Sequence, residues 1–566
     1  MIKTGTIGEV DSVIDETIDK RKALLSQRYN NCTLLDRQFE ILDVIKVANL
    51  CFFYIMFGSR EQHEQLKPNQ PYYLEGINIL FDQVFCDFTK NEFAPTFLTQ
   101  EVEKIHALII FCGEIGFFNR IKDYCKYNLI EYTGKSEHKL CFRFVNRYMG
   151  LENLEIMEDM IRTEKIIKAQ EEAVKTDSDQ RAKITKRMRK YVKPRRKHFI
   201  SYDTNPEIDE YYIRLAELYM ERTFQFECFP GDVKFGGIPY SIYIRSAVLI
   251  ISFALKHIAY AQLLTQKHRK IAFVNVLTIN RDISEMVEVF CIACGISRND
   301  ARQVLDCFTL TYEKYSFHRR NMDYLLMPYI IVSKTQLVFS IAGALSGIYT
   351  FLMGELNRKF QKDWDRNILE RESQFRNDLY NLFDDSLYIK IGHNLPVQSD
   401  GKTITDIDAC IVEKATGQII FFQLKWQEQY GRNIGRRQSR MQNFLRETNR
   451  WINDMTIWLG KKDRRKLASM LGLKEKQIDF DKFSLIVAGK YSAHFSGLDK
   501  PDDRAEWVLW LQLQRLYDED STTFRSLETL IKKLKEDNPY NRLPEQKGQL
   551  FHAKETDIEI APYSAD

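Results

Sequence analysis

A single segment, TDIDACIVEKATGQIIFFQLKW at Thr405–Trp426, restricts the fold more strongly than any other part of the chain. Two apolar runs flank the turn sequence EKATGQ, and this pattern predicts two antiparallel strands joined by a short loop. If the hairpin is centred between Ala415 and Thr416, Asp408 lies directly opposite Gln423. A slip of one residue would move every side chain to the other face, so the register decides what the hairpin can do.

The predicted register separates the polar residues of the hairpin from its apolar residues, because side chains alternate between the faces of a strand. With Asp406 opposite Lys425, one face carries the polar side chains of Asp406, Asp408, Gln423 and Lys425. The other face carries Ile407, Ala409, Ile411, Phe422 and Leu424. We therefore expect this second face to pack on a hydrophobic core.

The polar face has two interpretations. Side chains directly opposed on two strands are about 5 Å apart at Cβ, and this spacing suits a hard divalent cation with oxygen ligands. An ammonium group beside the cation can orient a water molecule and stabilise charge at a phosphorus atom. The simpler alternative is an Asp–Lys ion pair on a solvent-exposed sheet face.

The order of these residues, Asp408 and then Gln423-x-Lys425 on a hairpin that follows an acidic helix, resembles the PD-(D/E)xK restriction-endonuclease-like superfamily. The strand IIFFQLKW is similar in particular to the Mrr-type branch, in which Gln often replaces the acid of the motif. The resemblance covers about residues 360–500. It implies an α/β domain with a mixed central sheet, preceded here by a large, all-α N-terminal region.

The resemblance also implies a role for each residue of the motif. Asp408 would be the central metal-binding acid, Gln423 would take the place of the second acid, and the backbone carbonyl of Leu424 would add a ligand. Lys425 would be the catalytic lysine, and the cofactor would be Mg²⁺ or Mn²⁺. The missing second carboxylate leaves open a binding module without catalysis.

Families of this type commonly have a further acid on the preceding helix, where Glu370 and Glu372 compete. Phe375, Leu379 and Leu382 follow Glu372 at helical spacing and form one apolar stripe. Glu370 lies off that stripe, so we expect Glu372 to point toward the sheet and to join the metal ligands.

Two basic segments indicate a polyanionic partner. The helix after the hairpin carries four predicted nucleic-acid-binding residues: Arg432, Arg436, Arg437 and Arg440. Between Arg181 and Lys197 the chain has ten Lys or Arg residues and no acid. In that stretch we expect phosphate contacts from Lys193, Arg195 and Arg196. The alternative for both segments is a solvated basic helix or linker.

Composition shifts along the chain predict five parts. They are a helical domain (1–160), a charged helix with a basic linker (161–204), a mainly helical accessory domain with a short strand pair (205–355), the nuclease-like domain (356–520), and a C-terminal helix with a loose tail (521–566). At 566 residues, 44% of them hydrophobic, the chain can bury several cores.

The N-terminus lacks a signal-peptide pattern, and the eleven cysteines are scattered. The apolar segments 247–255 and 337–353 are too short or too interrupted to span a bilayer, so we expect buried core and no membrane role. The overall expectation is a cytoplasmic, metal-dependent DNA endonuclease of prokaryotic antiphage defence or restriction. RNA carries the same phosphodiester and remains an alternative substrate. The helical region would sense a signal, form a homo-oligomer or bind a partner protein.

Overall fold

The structure is a computed structural model. It describes residues 7–136, 139–147, 177–222, 229–321, 326–399, 401–426, 434–461, 463–495, 501–541, 545–553 and 556–564.

The first part of the chain is mainly helical. Its helices are α1 (Ile7–Tyr29), α2 (Leu34–Phe57), α3 (Arg60–Leu66), α4 (Gln70–Val84) and α5 (Val102–Lys126). Thr33 caps α2 by accepting a bond from the Asp36 amide while the Asp36 side chain accepts one from Thr33. The expectation of an all-α region is wrong at its end, because β1 (Ile130–Ser136) and β2 (Lys139–Phe144) form an antiparallel pair.

The basic segment does not form a linker. It forms helix α6 (Asp177–Tyr191) and a hairpin of β3 (Val192–Arg195) and β4 (Phe199–Tyr202). Ile184, Met188 and Val192 are buried in a core, which fixes the hairpin to the rest of the protein. The basic residues alternate with these apolar ones, and this is why so charged a stretch can still pack.

The accessory part adds helices and a larger sheet than the expected strand pair. Its elements are α7 (Pro206–Arg222), β5 (Lys234–Phe235), β6 (Ile238–Pro239), α8 (Tyr240–Lys267), β7 (Ile279–Asp282), α9 (Ile283–Cys294), α10 (Arg298–Asp306), β8 (Thr309–Leu310), α11 (Tyr312–Asn321), β9 (Tyr329–Ile331), β10 (Gln336–Phe339), α12 (Ile341–Ser346) and α13 (Ile348–Lys359). Four of the strands form one sheet in the order β7-β10-β9-β8.

The two helical parts share their cores. One core joins residues of α2, α4 and α5 to Leu326, Ile330 and Phe351 from the accessory part. A second core is built around α8, where Ala247, Ile250 and Ile251 are fully buried. By length and hydropathy α8 could cross a membrane, but two thirds of its apolar window is buried inside the protein, as in the core helix of a globular protein.

A mixed α/β region follows. It contains α14 (Gln361–Tyr380), β11 (Tyr388–Ile391), β12 (Leu395–Ser399), β13 (Lys402–Ile407), β14 (Ala409–Glu413), β15 (Ile419–Lys425), α15 (Ile434–Gly460), α16 (Arg464–Leu471), β16 (Phe483–Gly489), β17 (Glu506–Leu509), α17 (Trp510–Glu519) and α18 (Leu527–Glu536). The central sheet has the order β11-β14-β15-β16-β17, with antiparallel pairs up to β15 and parallel pairs beyond it.

Helices cover both faces of this sheet. Phe444 and Trp451 of α15 pack on one face, and Phe375 and Leu379 of α14 pack on the other. Parallel strands buried on both faces carry continuous apolar runs, and β15 and β16 have such runs.

The end of the chain is not a loose tail. Strands β18 (Gln549–Phe551) and β19 (Asp557–Ala561) return to the first part of the protein, where β19 pairs in parallel with β2. The resulting sheet has the order β1-β2-β19-β18, and Ile558 and Ile560 are buried in the first helical core.

Candidate active site

The predicted register of the hairpin is present in the structure. In the antiparallel pair of β14 and β15, Ala409 lies opposite Phe422 and Val412 lies opposite Ile419. The amide of Asp408 donates at 3.1 Å to the carbonyl of Phe422, the residue that already lies opposite Ala409, so the pairing becomes irregular at Asp408. Asp408 meets Gln423 through a side-chain hydrogen bond and not as its partner in the ladder.

The faces of the hairpin differ from the prediction in two respects. Both faces are buried, not one, because α15 covers the side that carries Cys410 and Phe421. The chain also bends at Asp408, so that Ile407 packs on the α15 side whereas Ala409 packs on the α14 side.

The bend also removes Asp406 from its expected partner. Strand β13 pairs with β12 in a separate two-stranded ribbon, where Asp406 lies opposite Pro396 and not opposite Lys425. The Asp406 side chain is exposed, and its backbone carbonyl accepts a bond of 2.7 Å from the indole Nε1 of Trp451. Asp406 thus lies at the edge of the site.

Asp408 is the buried centre of the candidate site, with 2% of its surface exposed. Its Oδ2 accepts a bond of 2.7 Å from the amide of Leu424 and another from the side-chain amide of Gln423. The N–H and C=O of one strand residue point the same way, so the Leu424 carbonyl also faces the Asp408 side of β15. Carboxylate and carbonyl oxygens therefore meet at this point.

The charge of Asp408 is costly in this position. Burial raises the pKa of Asp408 to about 7, and the negative charges of Glu372 and Asp406 raise it further. The bond from the Leu424 amide and the charge of Lys425 oppose that rise. A cation would stabilise the negative charge of a carboxylate that is buried among other acids.

Lys425 extends from the same face as Gln423 and is about one fifth exposed. Its Nζ lies 3.1 Å from Oε2 of Glu447, which belongs to α15. The sequence pattern gave no indication of this pairing, because Glu447 follows Lys425 by a whole loop and three turns of helix.

Glu372 lies on α14 with an exposed side chain. The negative charge of Glu372 raises the pKa of Asp408, whereas Glu370 is not among the groups that shift this pKa most. Phe375 and Leu379 of the expected apolar stripe are buried, whereas Leu382 follows the end of the helix and is half-buried.

Arg376, one turn after Glu372, was not expected at the site. Its guanidinium donates to the backbone carbonyl of Asp408, to the carbonyl of Gly392 at 3.2 Å and to the side chain of Asn394. The side chain is 6% exposed. Arg376 therefore holds the start of β14 against the turn between β11 and β12.

The predicted nucleic-acid-binding residues divide into three groups by their position in the structure. Arg432 lies outside the described residues. Arg436, Arg437 and Arg440 are half-buried on α15, and Arg436 donates to the backbone carbonyl of Asn321 in the accessory part. Lys193, Arg195 and Arg196 are exposed on the β3–β4 hairpin, which packs on the helical core and not on the central sheet.

The donor set for a metal is incomplete. In the part of the chain that the structure describes, no three His, Cys, Asp or Glu side chains gather into a group that could hold a metal ion. Asp408 and the Leu424 carbonyl are the right chemistry for Mg²⁺, and Glu372 is the nearest exposed acid on α14. The amide of Gln423 lies where a second carboxylate would be needed.

Known proteins give no further guidance. No family model matches the chain, and no curated protein or solved structure matches it either.

Proposed function

We propose that this protein is a metal-dependent endonuclease that hydrolyses DNA phosphodiester bonds at Asp408, Gln423 and Lys425. The observation that carries the proposal is the position of Asp408 at the open end of the β14–β15 hairpin, where its buried carboxylate accepts a bond from the Gln423 amide and is acted on by the charge of Lys425. The raised pKa of Asp408 supports it, because strongly perturbed acids cluster at functional sites.

Each residue has a distinct part in the proposed reaction. Asp408, the Leu424 carbonyl and Glu372 would hold Mg²⁺ or Mn²⁺, and the bound cation supplies an activated water and stabilises charge on the phosphate. Lys425 contributes a positive charge to the phosphate as negative charge builds up there. Glu447 fixes the direction of the Lys425 side chain.

The first test is the loss of the lysine. Lys425→Ala should abolish cleavage of plasmid DNA in Mg²⁺ or Mn²⁺, a drop of at least about 100-fold for a group that stabilises charge in the transition state. Gel electrophoresis of time courses measures the rate. The matched control is Lys482→Ala, which removes an exposed lysine just before β16, at the opposite end of the same sheet. Equal cleavage by wild type and Lys425→Ala would refute the assignment.

We further propose that the enzyme is a cytoplasmic effector of prokaryotic antiphage defence or restriction, regulated through its helical region. The support is an analogy at the level of architecture: a nuclease-like region is joined to a large part without catalytic motifs. That helical part would receive a signal, bind a partner protein or bring two copies together. Comparison of cleavage by the full chain with and without a phage-infected extract tests this regulation.

A second candidate function is a nucleic-acid-binding protein that has lost catalysis. The observation that favours it is the side-chain amide of Gln423, which occupies Asp408 Oδ2 where a cation would bind. Such a protein would bind DNA with an affinity that falls steeply with salt. It would show no turnover in any divalent metal, whereas the proposed nuclease turns over its substrate.

A further inference from the structure

A small cavity in the helical region lies under the tip of the β3–β4 hairpin and has a volume of about 190 Å³. Lys46 of α2 lines one side of it, and Arg195 and Arg196 of the hairpin line another. Asn275, Thr278 and Gln336 contribute polar side chains from the chain around β7 and from β10. The cavity thus brings together elements of both helical cores.

The lining of the cavity contains three cations and, among the described residues, no Asp or Glu. Asp43, one turn before Lys46 on α2, lies outside the lining, and its negative charge acts on Lys46. Lys46 is 8% exposed, and its Nζ donates to the carbonyl of Phe97 at 2.9 Å. Burial lowers the pKa of Lys46 to about 8, a cost that an anion in the cavity would remove.

Two amide side chains of the wall have their oxygens occupied by backbone amides. Asn275 Oδ1 accepts the backbone amide of Thr99 at 2.8 Å, and Gln336 Oε1 accepts that of Ala94 at 2.9 Å. A backbone N–H can only donate, so the orientation of each amide is determined. Both NH₂ groups therefore remain as the available hydrogen-bond donors.

The hydroxyl of Thr278 is also available as a donor, because its oxygen already accepts a hydrogen bond. Asn49 Oδ1 accepts the backbone amide of Ala342 at 3.0 Å, which fixes the Asn49 amide, and its Nδ2 then donates to Thr278 Oγ1 at 2.7 Å. Since that oxygen already accepts, the Thr278 hydrogen is left to donate elsewhere. The wall thus carries three cations and the donors of Asn275, Gln336 and Thr278, and its other polar side chains are Thr96 and Asn280.

We propose that this cavity binds a phosphate group, free or at the end of a mononucleotide. A wall of donors and cations without a carboxylate is complementary to an oxyanion, and Arg pairs are the residues that best match phosphate geometry. The volume is below the range of about 300–1,000 Å³ that holds a drug-sized ligand, so the phosphate is the part enclosed.

The hairpin tip carries two of the three cations. Arg196 and Lys197 have φ of 48° and 65° because they are the central residues of the turn Arg195–His198, which the amide of His198 closes by donating to the carbonyl of Arg195 at 3.3 Å. Arg195 and Arg196 line the cavity from this turn.

The test measures binding of inorganic phosphate, AMP and adenosine to the full chain by isothermal titration and by the shift in Tm. A ligand that binds only the folded state raises the Tm. We expect one site per chain for phosphate and AMP and none for adenosine. The variant Arg195→Gln/Arg196→Gln should weaken binding by about tenfold or more, since charge-assisted hydrogen bonds are lost.

The matched control is Lys190→Gln/Lys197→Gln, which removes one exposed charge at the end of α6 and one at the hairpin turn and likewise alters one left-handed residue. It should change the affinity less than about twofold, the effect expected of exposed charges outside the cavity. Equal losses in the two variants, or adenosine binding as tightly as AMP, would overturn the proposal.

Discussion

Asp408 is a carboxylate whose protonation state depends on what else occupies its surroundings. In the absence of a cation its pKa is about 7, because burial and the neighbouring acids disfavour the charge. An unfolded chain leaves the same group near its ordinary value of 3.8. The difference makes Asp408 a source of pH-dependent stability.

We expect Asp408→Asn to stabilise the metal-free protein relative to wild type, and the gap in Tm should widen between about pH 4 and pH 7 and then stay constant. The folded-state pKa is raised, so the favourable contribution of protonated Asp408 is complete below the unfolded value of 3.8 and is lost as the pH rises to about 7. Thermal unfolding in EDTA measures the gap. Glu370→Gln, at an exposed position of α14, is the control, and a gap independent of pH would contradict the expectation.

The central residues of the site could be predicted from the sequence, but their surroundings could not. The hairpin of β14 and β15 follows from the EKATGQ turn, and this hairpin brings Asp408 and Gln423 into contact although the ladder itself ends at Ala409. Glu447 depends on how α15 is rotated over the sheet, which no local pattern determines. The role of Arg376 could not be predicted from the sequence. Its acceptors are two backbone carbonyls and a side-chain amide oxygen, and these have no sequence signature.

At the scale of elements, α14 and the start of β14 are joined by one guanidinium. Arg376→Met should lower the free energy of unfolding by about 2–4 kcal/mol, since buried carbonyls lose their donors while the aliphatic volume is kept. Chemical denaturation monitored by fluorescence measures the loss. Asn377→Ala, at an exposed position on the same helix, should change the stability by less than about 0.5 kcal/mol. Similar effects of the two variants would exclude the proposed role of the guanidinium.

The segment AEWVLWLQLQRLYD shows why some elements resist prediction. Its first residues form β17 (Glu506–Leu509) and its next residues form α17 (Trp510–Glu519), with no intervening loop. An apolar run in a buried strand and the apolar stripe of a helix look alike over so few residues. By contrast, the long apolar stripe of α15 and the EKATGQ turn predict their helix and hairpin correctly, because these local patterns are strong enough to decide the structure.

At the scale of the whole molecule, strand β19 closes the first helical core from the far end of the sequence. The variant Ile558→Ala/Ile560→Ala should destabilise the protein by about 2–5 kcal/mol per residue, because both side chains are buried there. Hydrogen exchange should show the loss of protection in β1, β2 and α5 more than in β14 and β15. Leu550→Ala, about half exposed on β18, is the control and should leave exchange in those elements unchanged.

This closure could not be predicted from the sequence. The last strands are short and polar on one face, and their partner β2 belongs to the beginning of the chain. Pairing between such distant segments cannot be recognised from local periodicity. The predicted loose tail is therefore wrong. The shared cores of the two helical parts were missed for the same reason.

The position of β19 has a consequence for biosynthesis. The ribosome makes the central sheet, with Asp408 and Lys425, before it makes the strand that completes the first core. During translation the candidate catalytic region can therefore fold while the N-terminal region still lacks an edge of its sheet. If that region restrains the candidate site, the emerging chain passes through an interval without this restraint, and the synthesis of β19 ends the interval.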